Sequence, residues 1–135
     1  MNAHITKMIA NTAIARWLGF SVEEIDGNNI YQLAFDEQHI GNPAIRALHG
    51  GAIAAFLEFA AQCELVGKLD TDEVLTTVNI DINYLASSRA QDMKGRVTIL
   101  RLGRRIAFVE AIGWQVSEDR PVAKASFRIR IGKEK

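Results

Sequence analysis

Residues 50–61 have the sequence Gly-Gly-Ala-Ile-Ala-Ala-Phe-Leu-Glu-Phe-Ala-Ala, and the apolar pattern continues to about Leu65. This pattern predicts a helix that is apolar on nearly every side, with Gly67 as its C-cap. Such a helix has no face suited to water, so other elements have to enclose it. The segment therefore indicates a fold built around one central helix.

The chain beyond Asp72 predicts strands. The clearest pattern is in residues 123–131, where Ala, Ala, Phe, Ile and Ile alternate with Lys, Ser, Arg and Arg. This alternation is typical of a half-buried strand, and strands joined by short turns form an antiparallel meander. With a hairpin upstream, the predicted strands are residues 20–25, 30–35, 74–84, 96–101, 106–116 and 123–131.

The N-terminal part of the chain predicts a helix followed by a hairpin. Apolar residues recur at helical spacing and indicate one amphipathic helix of about 12–15 residues, which ends at Gly19. Asp26-Gly27-Asn28-Asn29 is a strong hairpin turn. The fold class predicted for residues 1–135 is a single α+β domain, with an antiparallel sheet of five or six strands wrapped around one long central helix. The residues of the helical pattern are Ile5, Met8, Ile9, Ala13 and Trp17.

Composition excludes several classes of protein. The chain has 135 residues, the size of one domain, and a single Cys, which rules out an internal disulfide framework and a Cys-based zinc site. Its three His argue against a multi-His metal centre, so we expect no metal and no cofactor. No apolar stretch reaches the roughly 18 residues of a membrane span, and no Sec-type signal is evident. We therefore expect a cytoplasmic protein with no membrane partner.

Charge is distributed unevenly along the chain. Residues 1–88 contain 4 basic and 11 acidic side chains, a net charge of −7, whereas residues 89–135 contain 12 and 5, a net charge of +7. This asymmetry indicates either an anionic partner for the C-terminal third or complementary packing between elements or subunits. No aromatic residues interleave with the basic run from Lys94 to Arg105, so we expect no nucleic-acid partner.

Glu58 is the only polar side chain in residues 50–61. Burial of an unpaired carboxylate is costly, so a sequence selected only for stability would have Leu or Met there. One hypothesis places Glu58 on a narrow exposed stripe or in a structural ion pair. The other places it at the floor of a cleft, where it acts as a base or a nucleophile.

His49-Gly50-Gly51 marks the predicted start of the central helix. The glycines leave backbone N–H groups unshielded at a helix N-terminus, which favours an oxyanion, and Gly51 is predicted to contact the substrate. Gly50 and Glu58 are eight residues apart, about 12 Å along a helix, so one substrate atom cannot contact both. If both serve one reaction, they come from two antiparallel copies of the helix, and this predicts a symmetric dimer.

Three other candidates are predicted to be non-catalytic. Cys63 lies 14 residues from His49, roughly 21 Å along a helix, so an intrachain nucleophile–base pair is excluded and Cys63 is interpreted as a small buried residue. His4 is predicted in a frayed terminus and His39 in a loop, both solvated.

The stretch from Asn42 through Leu48-His49-Gly50-Gly51 to Glu58 resembles the hotdog-fold acyl-CoA thioesterases, most closely the phenylacetate-pathway type. That type shares an Asn…His-Gly-Gly…acid pattern, and here the acid lies nine residues after the His. The order of helix, hairpin, central helix and strands also matches, from about Trp17 to Ile131. The resemblance implies a hotdog fold and hydrolysis of acyl-CoA thioesters to a free acid and coenzyme A.

The family's catalytic residues carry over by position. Glu58 occupies the place of the acid that activates water or attacks the thioester carbon, and the Gly50 N–H that of the group that polarises the carbonyl. His49 and Asn42 correspond to residues that shape the site. Thr77 corresponds to a hydroxyl residue that assists the acid from the same subunit. Because Thr77 lies on the more polar parity of its strand, a β-bulge is needed to turn it inward.

The resemblance also implies where coenzyme A enters. In the family, a glycine with a basic neighbour before the penultimate strand borders the coenzyme A entrance, which points to Gly103, Arg104 and Arg105 here. The function predicted is an acyl-CoA thioesterase that acts as a homodimer or as a tetramer of two dimers. Two alternatives stay open: a hotdog hydratase or dehydratase, and a non-catalytic acyl-CoA-binding module.

Overall fold

The computed structural model describes residues 2–132, which form three helices and eight strands. Two short helices precede a hairpin, a small two-stranded unit leads into a long helix, and four strands follow. The helices are α1 (Ala3–Asn11), α2 (Ala13–Leu18) and α3 (Gly50–Leu69), and the strands are β1 (Phe20–Ile25), β2 (Asn28–Leu33), β3 (Ile40–Asn42), β4 (Ala47–Leu48), β5 (Thr76–Tyr84), β6 (Met93–Leu102), β7 (Ile106–Trp114) and β8 (Ala123–Arg130).

Six of the strands form one antiparallel sheet in the order β1-β2-β6-β7-β8-β5. The turn between β1 and β2 consists of Asp26 and Gly27, both with positive φ, as the hairpin signal predicts. β3 and β4 pair with each other in a separate unit that the sequence pattern did not indicate. β5 lies at one edge, so one side of its backbone has no partner among the described strands.

The central helix packs against the inner face of this sheet. Ten residues of α3 are buried, and small residues on the facing strands let the helix approach closely. A Cβ at Gly95 would lie 3.0 Å from the Phe56 ring, and Ala107 and Ala111 of β7 are buried beside Val109. The predicted α+β hotdog arrangement, with one long helix against a six-stranded antiparallel sheet, is confirmed.

Two predictions about helices are wrong. The N-terminal helix is interrupted at Thr12, whose backbone is extended and whose hydroxyl donates to the Met8 carbonyl. Gly67 is not a C-cap, because α3 continues to Leu69 and ends at Asp70 in the left-handed conformation. Gly67 instead allows α1 to pack closely, since a Cβ there would lie 2.8 Å from Ile5 Cδ1.

Both histidines predicted to be solvated are anchored. His39 is fully buried and caps a short 3-10 turn, where its Nδ1 accepts from the Asp36 N–H and its Nε2 lies 2.7 Å from the Trp17 carbonyl. His4 lies in ordered α1 and contacts Asp70 and Asp72 beyond the end of α3. Neither position shows an apolar spacing pattern in the sequence, because polar groups hold both rings. Asp70 and Asp72 contact His4, whereas the Trp17 carbonyl and the Asp36 N–H contact His39.

Candidate active site

A cavity of about 530 Å³ lies between α3 and the N-terminal helices, and Glu58 is part of its wall. We call it the α1–α3 cavity. Apolar side chains line much of it, and Gln62, one helical turn after Glu58, lies on the same wall. Its volume falls within the range of ligand-binding pockets. The apolar residues that line it include Met8, Ile14, Ala55, Phe59 and Val66.

The Glu58 carboxylate is half-buried and forms no hydrogen bond or ion pair with any residue in the range 2–132. Glu64, on another side of the same helix, shows the contrast: it accepts hydrogen bonds from Tyr31 Oη at 2.7 Å and from Asn29 Nδ2 at 3.0 Å. The structural ion-pair hypothesis for Glu58 is therefore excluded within the described part of the chain. Its acceptor oxygens are available to a molecule in the cavity.

Thr77 lies on the α3 side of β5, where Gln62 Nε2 donates to its hydroxyl at 3.0 Å. The strand is irregular at this point: Thr77 pairs with Ile129 and Asn79 with Arg128, so Val78 is an extra residue. This bulge reverses the parity of β5, and Thr77 faces inward although Ile80 and the residues after it follow the opposite alternation. The bulge thus sets the direction of Thr77, which the alternation of the sequence alone did not determine.

The N-terminus of α3 begins at Gly50, as predicted, with His49 as its N-cap. His49 Nδ1 accepts from the Gly51 N–H at 2.8 Å. The Gly51 amide is therefore bonded to the N-cap side chain and is not free for a substrate. Tyr84 Oη, at the end of β5, donates to the Gly50 carbonyl at 2.7 Å. The Gly50 N–H has no acceptor within the described residues, and it carries the positive end of the helix dipole.

Asn42 ends β3, and His49 directly follows β4 in the small β3–β4 unit. Asn42 Oδ1 accepts from the Ala44 N–H, which closes a local turn, and its exposed side chain does not line the α1–α3 cavity. Gly41 allows the β3–β4 unit to pack closely against the start of α3, because a Cβ at this position would lie 2.8 Å from His49 Cα. The structure therefore places Asn42 near the start of α3 and away from Glu58.

β5 runs antiparallel to α3, with Tyr84 at the Gly50 end and Thr77 at the Gln62 end. Within one chain, the Gly50 amide and the group of Glu58 and Thr77 thus lie near different ends of the same edge strand. Gly50 and Glu58 are both in α3, about 12 Å apart along its axis. One copy alone does not bring the amide and the carboxylate to one substrate atom.

The basic turn at residues 103–105 joins β6 to β7. Ile106 pairs with Arg130 and Arg130 pairs with Thr76, so these three residues form one row across β7, β8 and β5. With strands about 4.8 Å apart, the turn is roughly 10 Å from the start of β5. Arg104 and Arg105 are exposed and have no ion pair within the described residues, whereas Arg96 is bound by Glu118.

Cys63 is fully buried, as predicted, and burial followed by the nearby Glu64 charge raises the pKa of its thiol far above the ordinary value. A thiol held neutral in this way is a poor nucleophile. Sequence reasoning missed Tyr84 and Gln62. The spacing of Gln62 from Glu58 could have indicated a shared helix face, but no local signal links Tyr84 to Gly50, which lies 34 residues away.

Comparison with known families gives a match to the family model described as the thioesterase superfamily, over residues 46–122. The chain is 29% identical to the medium/long-chain acyl-CoA thioesterase YigI of Escherichia coli K12, over 87% of this chain and 84% of that protein. It is 31% identical to the YigI protein of Salmonella typhimurium LT2, over 68% of each chain.

Solved structures agree in fold. A phenylacetic acid degradation-related protein from Ralstonia eutropha JMP134 superposes with a TM-score of 0.81 at 21% identity, covering 95% of this chain and 99% of that one. A Bacillus halodurans protein solved with CoA gives 0.79 at 18% identity, covering 98% and 91%. None of the helices in the described residues has the length and hydropathy that a membrane span requires. With a family match over more than half of its length and this architecture, the chain belongs to the thioesterase superfamily.

Proposed function

We propose that this chain hydrolyses acyl-CoA thioesters to a free acid and coenzyme A. The observation that carries the proposal is Glu58, a carboxylate that has no partner among residues 2–132 and lies in the wall of a cavity with many apolar side chains. The relatives named medium/long-chain acyl-CoA thioesterase favour an acyl-CoA with an aliphatic chain of that class. The His49-Gly50-Gly51 start of α3 supports placement in the phenylacetate-type subgroup.

Glu58 promotes attack on the thioester carbon in one of two ways. As a general base, it takes a proton from water while the water oxygen bonds to the thioester carbon. The C–S bond then breaks and the sulfur leaves with that proton as the coenzyme A thiol. As a nucleophile, the carboxylate bonds to the carbon and expels the thiolate, and water then hydrolyses the resulting anhydride. In both routes negative charge develops on the carbonyl oxygen, which the Gly50 N–H stabilises.

Thr77 and Gln62 form a hydrogen-bonded pair beside the Glu58 carboxylate. Gln62 Nε2 donates to Thr77 Oγ1, which leaves the Thr77 hydroxyl proton free to donate in turn to Glu58 or to a water molecule. His49 fixes the first turn of α3 through the Gly51 N–H, and Asn42 shapes the loop beside it. Gly51 contributes a backbone surface without a side chain to the substrate.

The active unit is at least a dimer. β5 is a nine-residue edge strand with exposed apolar side chains, including Val78 and Ile80, and such an edge requires a partner. If two copies pair antiparallel along β5 about a two-fold axis, the Thr77 end of one strand lies beside the Tyr84 end of the other. This arrangement brings Glu58 close to Gly50 of the partner subunit. A tetramer forms when two such dimers associate.

The basic turn binds the nucleotide end of coenzyme A. Gly103 allows the tight turn, since a Cβ there would lie 2.7 Å from the Ile106 carbonyl oxygen. Arg104 and Arg105 are exposed at the sheet end that carries Thr77 and form no ion pair with another described residue, which fits contact with phosphates. The protein requires no cofactor in this proposal and acts in the cytoplasm.

Thiol release from acyl-CoA substrates tests the assignment of Glu58. Glu58→Gln keeps the shape of the side chain and removes the base or nucleophile, so we expect kcat to fall by about 10²–10⁴-fold with an unchanged circular dichroism spectrum. Glu64→Gln is the matched control, since Glu64 lies on the same helix outside the cavity. Near-wild-type thiol release from Glu58→Gln would sink the proposal. Loss of an enoyl double bond without thiol release would instead support a hydratase.

Subunit mixing tests the shared site. Glu58→Gln and Gly50→Pro proteins are each expected to be inactive, and a heterodimer of the two contains one intact pair of groups. Mixed samples should therefore regain up to half of the wild-type activity per heterodimer. A mixture that stays inactive, although mass spectrometry shows heterodimers, contradicts a site built from two subunits.

A further inference from the structure

The wall of the α1–α3 cavity opposite Glu58 comes from the N-terminal helices. Met8 of α1 and Ile14 of α2 face a cavity whose other wall is formed by Ala55, Glu58 and Phe59 of α3. Met8 and Ile14 lie outside residues 46–122, the part that the thioesterase family model covers. The family match therefore does not include the residues of this wall.

The lining of the cavity is divided by polarity. The end near the start of α1 carries charged groups, among them Lys7 and Asp72, which form an ion pair at 2.9 Å. The end that contains Met8, Ile14 and Phe59 is the more apolar one, although Asn11 and Thr12 also line it. Ile14 remains 37% exposed although it is a large apolar residue. Contact between such an exposed apolar side chain and a hydrocarbon chain lowers the free energy, because it removes apolar surface from water.

We propose that the apolar end of the α1–α3 cavity binds the acyl chain, and that Met8 and Ile14 set the longest chain the protein accepts. This inference rests on the proposed thioester hydrolysis, because a thioester carbon beside Glu58 leaves the acyl group next to these side chains. α1 is fixed in place by Ile5, which is 1% exposed and packed against Gly67, so the wall does not retreat to admit a longer chain. The N-terminal helices thus limit the length of the acyl chain that the cavity accepts.

A chain-length series tests this role. Thiol release is measured for straight-chain acyl-CoAs from short to long with the wild type, Met8→Trp and Met8→Ala. Met8→Trp fills the apolar end and should lower kcat/KM for the longest accepted chains about tenfold or more, with little change for the shortest. Met8→Ala and Ile14→Ala should shift the preference toward longer chains. Ala10→Trp is the matched control, because Ala10 is an exposed α1 residue outside the lining.

The outcomes separate this inference from the proposed function. An unchanged length profile in both Met8 variants overturns it, as does a loss of equal size at every chain length. If Met8→Trp does not fold, the direction of the shift in Met8→Ala and Ile14→Ala decides. If the wild type releases no thiol at all, the proposed function fails. Calorimetric binding of alkyl-CoA thioethers, in which CH₂ replaces the carbonyl, then decides whether Met8 still sets the chain length.

Discussion

The two ends of α3 are held by opposite means. At the N-terminal end, His49, Gly51 and Tyr84 are exposed, and hydrogen bonds from polar groups fix the first turn. Toward the C-terminal end, α1 covers the helix through buried Ile5, and Asn2 Nδ2 donates to the Gly67 carbonyl at 3.4 Å. We call the N-terminal end of α3 the open end and the C-terminal end the closed end. The groups that can contact a ligand lie at the open end and in the wall of the α1–α3 cavity, whereas the closed end contributes to stability.

Of the changes that compare the two ends of α3, the largest effect is expected from Gly50→Pro at the open end. Proline removes the N–H yet suits the first position of a helix, and the extended backbone of His49 (φ −62°, ψ 132°) is compatible with a following proline. We expect kcat to fall about 10²–10³-fold, as for the loss of an oxyanion donor, with the fold retained. Gly50→Ala, which keeps the N–H, should lose far less. Equal losses in the two variants would show that bulk beside Tyr84, not the missing amide, is responsible.

The closed end should respond to Ile5→Ala with lost stability. Removal of most of a buried side chain typically costs about 2–5 kcal/mol, and the Gly67 surface beneath it cannot fill the gap. Chemical denaturation should show a lower midpoint with an unchanged slope. Ile14→Ala, at a partly exposed position, provides the contrast and should cost much less. If both variants are equally stable, α1 does not hold the end of α3.

Replacement of Arg104 and Arg105 by Ala tests whether the nucleotide of coenzyme A binds near the Thr77 end of β5. We expect KM for acyl-CoA to rise about tenfold and kcat to stay nearly constant, because phosphate contacts lie far from the reacting carbon. The effect should shrink at high salt and disappear with an acyl-N-acetylcysteamine thioester, which has no phosphates. Equal losses on both substrates would make these arginines structural. Arg120→Ala is the control for a lost surface charge.

The smallest effect concerns His4, which lies between two carboxylates near the closed end. Its Nδ1 is 2.6 Å from Asp72 Oδ1 and its Nε2 is 2.7 Å from Asp70 Oδ1, so both contacts can be hydrogen bonds only when the ring is protonated. Asp72 and then Asp70 raise the pKa of His4 above its ordinary 6.5, and His4 followed by Lys7 lowers the pKa of Asp72 below 3.8.

The sign of the pH dependence follows from these two shifts. The His4 contribution is fully present below pH 6.5 and is lost as pH rises through the raised pKa, and the Asp72 contribution is lost as pH falls through the lowered one. Attachment of α1 should therefore be tightest between pH 3.8 and 6.5. Amide exchange in α1, corrected for intrinsic rates, should show protection that declines above this window in the wild type and not in His4→Gln. A histidine NMR titration at or below pH 6.5 would contradict the raised pKa.

The elements that follow a regular period could be predicted from the sequence. The start of α3 at Gly50 and the run of β8 are where hydrophobic spacing placed them, because burial on one face determines the pattern directly. Glu58 stood out for the same reason, as the one break in an apolar pattern. Its position in a cavity wall, without an ion pair to any residue that the structure describes, follows from packing that no local signal encodes.

Features that depend on distant contacts could not be predicted in this way. Gly67 resembles a C-cap locally, but Ile5 packs against it and the helix runs on. His39 appeared to lie in a solvated loop, although Trp17 and Asp36 close around its ring. Tyr84 reaches Gly50 only because β5 folds back along α3. In each case at least one partner lies 22 or more residues away in the chain.

The extra residue in β5 has a consequence for self-recognition. At Val78 the edge of the sheet departs from a regular ladder, which increases the local twist and leaves one residue without a register partner on β8. In the antiparallel pairing proposed above, a two-fold axis places the bulge of each strand beside the Tyr84 end of the other, so each bulge interrupts the ladder at one end of the pair. Any strand that pairs along the whole edge of one copy has to accommodate this interruption. The bulge that turns Thr77 inward would thus also discourage indiscriminate pairing with foreign strands, which is the common hazard of an exposed apolar edge.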